Sequence, residues 1–184
     1  VFNCIGTLVA GHRFGHFGFI GRCQQQVHHC IRACTVQQRI QIGQARVLLC
    51  HGSPRQVNEF LWESTTPAGF IGYLCEQEQV DVVACTHTGI HWERPLPDGR
   101  GVVNVGAVGR PANDGRRNVW YAVLEWTEGR LQTTFVPVDY DWERVAGEMR
   151  AEGLPEEFVE TLATGWWTTC LEILPARERV AGRF

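Results

Sequence analysis

Short apolar runs and one amphipathic segment dominate the middle of the chain. Val/Leu/Ala runs at residues 46–50 and 80–85 are bounded by Gly, Pro and polar residues, a pattern typical of buried strands in a covered sheet. Between them, residues 67–74 carry a proline in the first turn and an apolar face, which predicts a helix. The order strand, helix, strand predicts a right-handed crossover that joins two parallel strands.

The second half of the chain predicts further strands and then two helices. The segment Thr127-Glu128-Gly129 separates two strand patterns and indicates an antiparallel hairpin. Acidic residues after Pro155 suit a helix N-terminus. The predicted strands are residues 101–105, 118–126 and 130–138, and the predicted helices are residues 141–151 and 155–163.

Two histidines follow the first two predicted strands. His51 comes directly after one strand and His87 shortly after the other, with Gly52 and Gly89 beside them. Because open α/β sheets bind ligands beyond the carboxyl ends of such strands, we expect both side chains to face one cleft. Neutral imidazole is the commonest protein ligand for transition metals, so a shared metal is one interpretation, and ordinary packing is the other.

Composition narrows the functional class. The chain has 184 residues, is 44% hydrophobic and carries a net charge of -3, which fits one ordinary domain without a basic surface for nucleic acid. It has neither a long apolar stretch nor a signal-peptide pattern, so we expect a cytoplasmic protein that does not engage membranes. Of its eight cysteines, those after residue 43 stand singly and predict small buried side chains rather than disulfides.

Residues 1–43 have a different texture, rich in Gln, His and Cys and free of acidic residues. One interpretation is a zinc-binding segment, although the spacing matches no recognised zinc motif. The other is a frameshifted, non-native and disordered segment, which the abrupt change in composition near residues 41–44 favours. The candidate zinc ligands are Cys23, His28, His29, Cys30 and Cys34.

Three elements after residue 43 resemble the calcineurin-like metallophosphoesterases, in particular their small bacterial phosphodiesterase-like branch. His51-Gly52-Ser53-Pro54 matches a His-Gly-Ser-Pro element. Thr86-His87-Thr88-Gly89 represents a Gly-His-Thr-His element, and residues 104–111 represent Asn-Pro-Gly-Ser-Val-Gly-Arg-Pro. The order and spacing of all three, followed by a Gly-Leu-Pro element at residues 153–155, make the resemblance specific.

The resemblance implies a fold, a reaction and cofactors. The implied fold is an α/β sandwich of two mixed β-sheets flanked by helices, with residues 44–184 as its C-terminal portion. The implied reaction is hydrolysis of phosphomonoesters or phosphodiesters by a hydroxide bound to two metal ions. The implied cofactors are divalent ions (manganese, iron, zinc or nickel), and the implied partner is a small phosphate ester.

The resemblance also assigns residues. It makes His51 and His87 metal ligands. Asn104, Gly106 and Arg110 are expected beside the substrate. For Arg110 one interpretation is a guanidinium that pairs with phosphoryl oxygens, and the other is a solvated turn residue beside Pro111. Asn104 and Gly106 are expected to shape the loop beside the metals.

Two departures from the family pattern weaken the implied site. Gly89 stands where the family has a further histidine; His91 is a possible replacement ligand, with surface packing beside Trp92 as the alternative. The Asp-x-His, Gly-Asp and Gly-Asn-His-Asp/Glu elements of the family are absent, and the first aspartate is Asp81. We therefore expect impaired catalysis, and the alternative function is a non-catalytic remnant that binds a partner or a single metal.

The frameshift interpretation makes a direct prediction about the gene. The encoding DNA upstream of the codon for Gln44, read in the other two frames, is expected to contain Asp-x-His and Gly-Asn-His-Asp/Glu elements, because these complete the family pattern. Sequencing that region tests the prediction. Alternative frames without either element would contradict it.

Overall fold

The computed structural model describes residues 9–10 and 37–180. The strands are β1 (Val9–Ala10), β2 (Gln38–Ile42), β3 (Ala45–Cys50), β4 (Val82–Cys85), β5 (His91–Pro95), β6 (Gly101–Val105), β7 (Val119–Thr127) and β8 (Arg130–Val138). The helices are α1 (Ala68–Glu78), α2 (Trp142–Ala151), α3 (Glu156–Thr164) and α4 (Ala176–Val180), and Leu171–Ile173 form a 3₁₀ turn. No helix in these ranges is long and apolar enough to span a bilayer.

The strands form two mixed sheets. The larger sheet has the order β2-β3-β4-β6-β5, in which β3, β4 and β6 run parallel and the two edge strands run antiparallel. The smaller sheet has the order β1-β7-β8, with β1 parallel to β7 and β8 antiparallel to it. The predicted α/β sandwich of two mixed sheets with flanking helices is confirmed.

Both faces of the larger sheet are covered. Leu48 and Val83 pack on one face against Ile71 of α1. Val47 lies on the opposite face, in a cluster with Leu124 of the smaller sheet. Because successive side chains of a strand point to opposite faces, a strand buried on both sides needs a continuous apolar run. This requirement explains the patterns from which β3 and β4 were predicted.

The hairpin and the two later helices also agree with the sequence pattern. Glu128 and Gly129 both have positive φ, as a two-residue type I′ turn requires, and β7 begins one residue later than predicted. The side chain of Asp141 accepts a hydrogen bond from the backbone N–H of Arg144 at 3.0 Å and caps α2.

The larger sheet begins earlier in the chain than the change in amino-acid composition indicated. The boundary predicted at residue 43 falls in the turn between β2 and β3, so residues 38–42 are paired with β3. The five candidate zinc ligands of the N-terminal segment lie outside the described residues. Cys170, expected to be a small buried side chain, is instead exposed; it precedes the 3₁₀ turn.

Asp81 holds the amino ends of the three parallel strands together. Its carboxylate accepts hydrogen bonds from the backbone N–H and the guanidinium of Arg46 at 2.8 Å each. Its backbone N–H donates to the carbonyl of Arg46, and its own carbonyl accepts from Gly101, at 2.9 Å each. The hydrogen bonds from Arg46 hold the pKa of this carboxyl below its usual range. Asp81 therefore links the starts of β3, β4 and β6.

Asp81→Asn is expected to lower the free energy of unfolding at pH 7 by about 1–2 kcal/mol, since a charge-assisted network loses its charge. A carboxyl whose pKa is lowered by folding stabilises the protein above its unfolded-state pKa. That stabilisation is lost as the pH falls through the folded-state pKa. The difference between wild type and variant should therefore shrink under acid conditions, as measured by urea unfolding at several pH values.

Asp98→Asn is the matched control, because Asp98 also pairs with an arginine, Arg100, at 2.7 Å but is more exposed. This variant should destabilise the protein less than Asp81→Asn at pH 7. An equal loss for both variants, or a loss for Asp81→Asn that does not change with pH, would contradict the role assigned to Asp81.

Candidate functional site

Strand register brings the candidate site residues to one edge of the larger sheet. Cys50, the last residue of β3, is paired with Cys85, the last residue of β4. Cys85 is in turn paired with Asn104 in β6. The chain leaves all three parallel strands at the same level, so the segments that contain His51 and His87 emerge side by side.

His51 and His87 are in direct contact. The Nε2 atom of His51 lies 3.0 Å from Nδ1 of His87, and the two rings meet edge to face with their centroids 4.8 Å apart. Among the described residues, neither Nδ1 of His51 nor Nε2 of His87 has a hydrogen-bond partner, although both atoms are buried. The two side chains therefore approach one another as expected, and a cleft that both of them face stays a prediction.

Burial keeps both imidazoles neutral near pH 7. It lowers the pKa of His51, and the neighbouring ring of His87 lowers that pKa further. Burial likewise lowers the pKa of His87. A neutral imidazole has one nitrogen lone pair available for a hydrogen bond or a metal, whereas a protonated ring has none.

The backbone of His87 adopts an unusual conformation. Its φ is +80°, in the left-handed backbone region that residues other than glycine rarely adopt. The ring of Phe60 packs on the His87 ring with a centroid distance of 4.3 Å. The Phe60 ring also stacks on the ring of Trp62. Strained backbone of this kind persists only where surrounding contacts hold it in place, and it is commonest at functional sites.

Asn104 lies beneath the His87 loop and supports it. The side chain is fully buried; its amide donates to Thr88 Oγ1 at 2.8 Å, and its oxygen accepts from the backbone N–H of Gly106 at 3.2 Å. Thr86 Oγ1 donates to the carbonyl of Gly106 at 2.7 Å. Asn104 thus connects β6 to the residue after His87, and its predicted proximity to substrate stays a prediction.

The ring of Trp167 lies beside Gly89, the position at which the family resemblance implies a further histidine. A side-chain carbon added at Gly89 would lie 3.1 Å from Cη2 and Cζ2 of the Trp167 ring, and Gly89 has a φ of +77°. Contacts this short require the ring to move, and the backbone conformation is itself unfavourable for other residues. The replacement of histidine by Gly89 is therefore matched by an aromatic ring in the space beside it.

Arg110 stacks on the Trp167 ring. Its guanidinium carbon lies 3.7 Å from the centroid of the Trp167 ring, and its Nη2 donates to the carbonyl of Thr169 at 3.3 Å. Burial lowers the pKa of Arg110 to about 10. Arg110 thus lies against the ring that contacts the His87 loop.

His91, the possible replacement ligand, contacts a different part of the protein. Its ring lies 4.2 Å from the ring of Trp120 and 4.8 Å from that of Phe135, centroid to centroid. Both aromatic residues belong to the smaller sheet. These contacts place His91 between the sheets, whereas His51 and His87 contact each other.

The donor set at this point consists of two ring nitrogens. Two nitrogens that bind one zinc ion at about 2.0–2.1 Å lie roughly 3–3.4 Å apart, close to the separation of the facing atoms of His51 and His87. Within residues 9–10 and 37–180, however, no group of three or more His, Cys, Asp or Glu side chains could hold an ion. The described residues therefore bring two imidazole nitrogens together, form no complete metal site and lack the carboxylates of a dinuclear one.

Sequence reasoning missed the polar contacts that anchor Trp167. Its backbone N–H donates to Asn113 Oδ1 at 2.8 Å, and its ring N–H donates to the carbonyl of Pro111 at 2.7 Å. Asn113 also donates to the carbonyl of Glu178, whose buried carboxylate accepts two hydrogen bonds from Ser64. These residues are far apart in sequence, and no local pattern predicts their contact.

Comparisons with known proteins support the fold. No protein-family model matches the chain, and no curated protein sequence matches it. A hypothetical protein from Pyrococcus horikoshii OT3 has a similar structure, with a TM-score of 0.58 at 18% identity over 77% of this chain. A metallophosphoesterase from Sphaerobacter thermophilus is similar with a TM-score of 0.55 at 25% identity over 84% of this chain. The match spans 56% of the Pyrococcus protein and 71% of the Sphaerobacter protein, and the chain has a metallophosphoesterase-like fold.

Proposed function

We propose that this protein is a metal-dependent hydrolase of phosphomonoesters or phosphodiesters in which His51 and His87 bind one divalent metal ion. The observation that carries the proposal is the 3.0 Å approach of His51 Nε2 to His87 Nδ1 at the carboxyl ends of adjacent parallel strands. The similarity to a solved metallophosphoesterase supports the class of reaction.

The residues of the chain would contribute to this activity in distinct ways. His51 and His87 stay neutral at physiological pH and so are available as ligands without losing a proton. Asn104 holds the His87 loop in position through Thr88. When bound, a divalent ion would polarise a phosphoryl oxygen and lower the pKa of a coordinated water.

A second candidate function is non-catalytic binding of a single metal ion. The position of the Trp167 ring favours it, because the ring lies where a side chain at position 89 would begin. The described residues also lack the carboxylates that a second ion needs. Both candidates require the histidine pair, and they differ in whether the bound ion supports turnover.

His51→Ala and His87→Ala are each expected to abolish stoichiometric metal binding. Wild type should bind about one equivalent of manganese or zinc, because His51 Nε2 and His87 Nδ1 lie 3.0 Å apart and would share one ion. Removing either ring should weaken binding more than about 100-fold, beyond the 10–100-fold typical of residues that only orient ligands. Isothermal titration calorimetry and elemental analysis measure this change, and circular dichroism shows that the variants fold.

His91→Ala is the matched control, because it removes a half-buried histidine that packs between the sheets. Its metal content should equal that of wild type. Hydrolysis of p-nitrophenyl phosphate and bis-p-nitrophenyl phosphate then separates the two candidates. Metal-dependent turnover that disappears in His51→Ala supports the hydrolase, and one bound equivalent without turnover supports the non-catalytic protein. Wild type without bound metal would contradict both.

Asn104→Ala is expected to lower the free energy of unfolding by about 1–3 kcal/mol and to weaken metal binding. The change leaves buried polar groups of the His87 loop without their partner. Asn118→Ala is the control, since Asn118 is also buried but, within residues 37–180, its side chain bonds only to the carbonyl of its neighbour Val119. A loss of stability with unchanged metal affinity would show that Asn104 does not position His87.

A further inference from the structure

The guanidinium of Arg110 has unused hydrogen-bonding capacity. An arginine carries five N–H donors. In the part of the chain that the structure describes, those of Arg110 bond only to Thr169, through the carbonyl at 3.3 Å and Oγ1 at 3.5 Å. The side chain is half-buried, so the group has lost much of its hydration without gaining a strong partner.

No acidic side chain compensates the charge of Arg110 among the described residues. Some arginines of the protein are neutralised within it, as Arg46 is by Asp81 and Arg150 is by Glu156. Burying a cation without a counter-ion is costly, and the lowered pKa of Arg110 reflects that cost. A structure that keeps such a cation partly dehydrated is prepared to bind an anion from solution.

The position of Arg110 connects this cation to the histidine pair. The guanidinium carbon lies 3.7 Å from the centroid of the Trp167 ring, and a side-chain carbon added at Gly89, two residues after His87, would lie 3.1 Å from the edge of the same ring. Stacking on an aromatic ring orients the guanidinium plane and leaves its N–H groups directed outward in that plane. Planar donors of this kind match the oxygens of a phosphoryl group.

We propose that Arg110, held flat against Trp167, is an anion-binding residue that receives a phosphoryl group at the rim of the histidine cleft. The inference rests on the proposed function for the source of that group, a phosphate ester substrate. Binding of the anion itself requires only the Arg110 guanidinium and the Trp167 ring on which it stacks. Arg110 would act in substrate binding, while the histidine pair provides the metal ligands.

Titration with inorganic phosphate in the presence of EDTA tests the anion site apart from the metal. Arg110→Met keeps the apolar stem against Trp167 and removes the donors, so its affinity for phosphate should be about tenfold or more below that of wild type. Arg110→Lys keeps the charge but not the planar donors, so its affinity should fall between the two. Arg117→Met is the control, because Arg117 also stacks on a tryptophan, Trp142, and bonds to a carbonyl.

The outcomes separate this inference from the proposed function. Phosphate binding that depends on Arg110 and not on Arg117 supports the inference, and its persistence in a His51→Ala/His87→Ala double variant shows that it holds without the metal ligands. Affinity of Arg110→Met within twofold of wild type would overturn it, as would a wild-type protein that does not bind phosphate with or without manganese. Loss of metal binding alone would leave the anion site intact and contradict only the proposed hydrolase.

Discussion

The register of the three central parallel strands is the constraint on which the site depends. Cys50, Cys85 and Asn104 occupy one row across β3, β4 and β6, so the chain turns away from the sheet at the same level three times. Asp81 fixes the opposite ends of these strands, and Asn104 fixes the ends beside the histidines. A shift of one residue in any pairing would reverse which face each side chain occupies and would separate the two rings.

The electrostatic character of the cleft follows from the residues that are missing. Two divalent ions bring four positive charges, which dinuclear centres offset with carboxylates. Here the two imidazoles are neutral, and the cation of Arg110 lies against the Trp167 ring. In the proposed function, such surroundings would suit at most a single divalent ion.

Local patterns in the sequence were sufficient for the central strands and for the histidine pair. The apolar runs predicted β3 and β4, and the position of His51 and His87 after those strands predicted that they approach one another. The positive φ of His87, the Trp167 ring beside Gly89 and the buried Glu178 depend on contacts between distant segments, so no local pattern reveals them. Strand β2 was not predicted because it lies within the segment of atypical composition, even though its residues Ile40 and Ile42 alternate with polar ones.

The Trp167 ring beside Gly89 comes from a part of the chain that is synthesised after the sheet. The eight described strands precede Trp167, and its anchor through Asn113 is completed only when Glu178 is present. Since a chain is made from its N-terminus, the strands and both histidines leave the ribosome ahead of the tryptophan and of Glu178. The ring can take its place beside the histidine loop only after those later residues have been made.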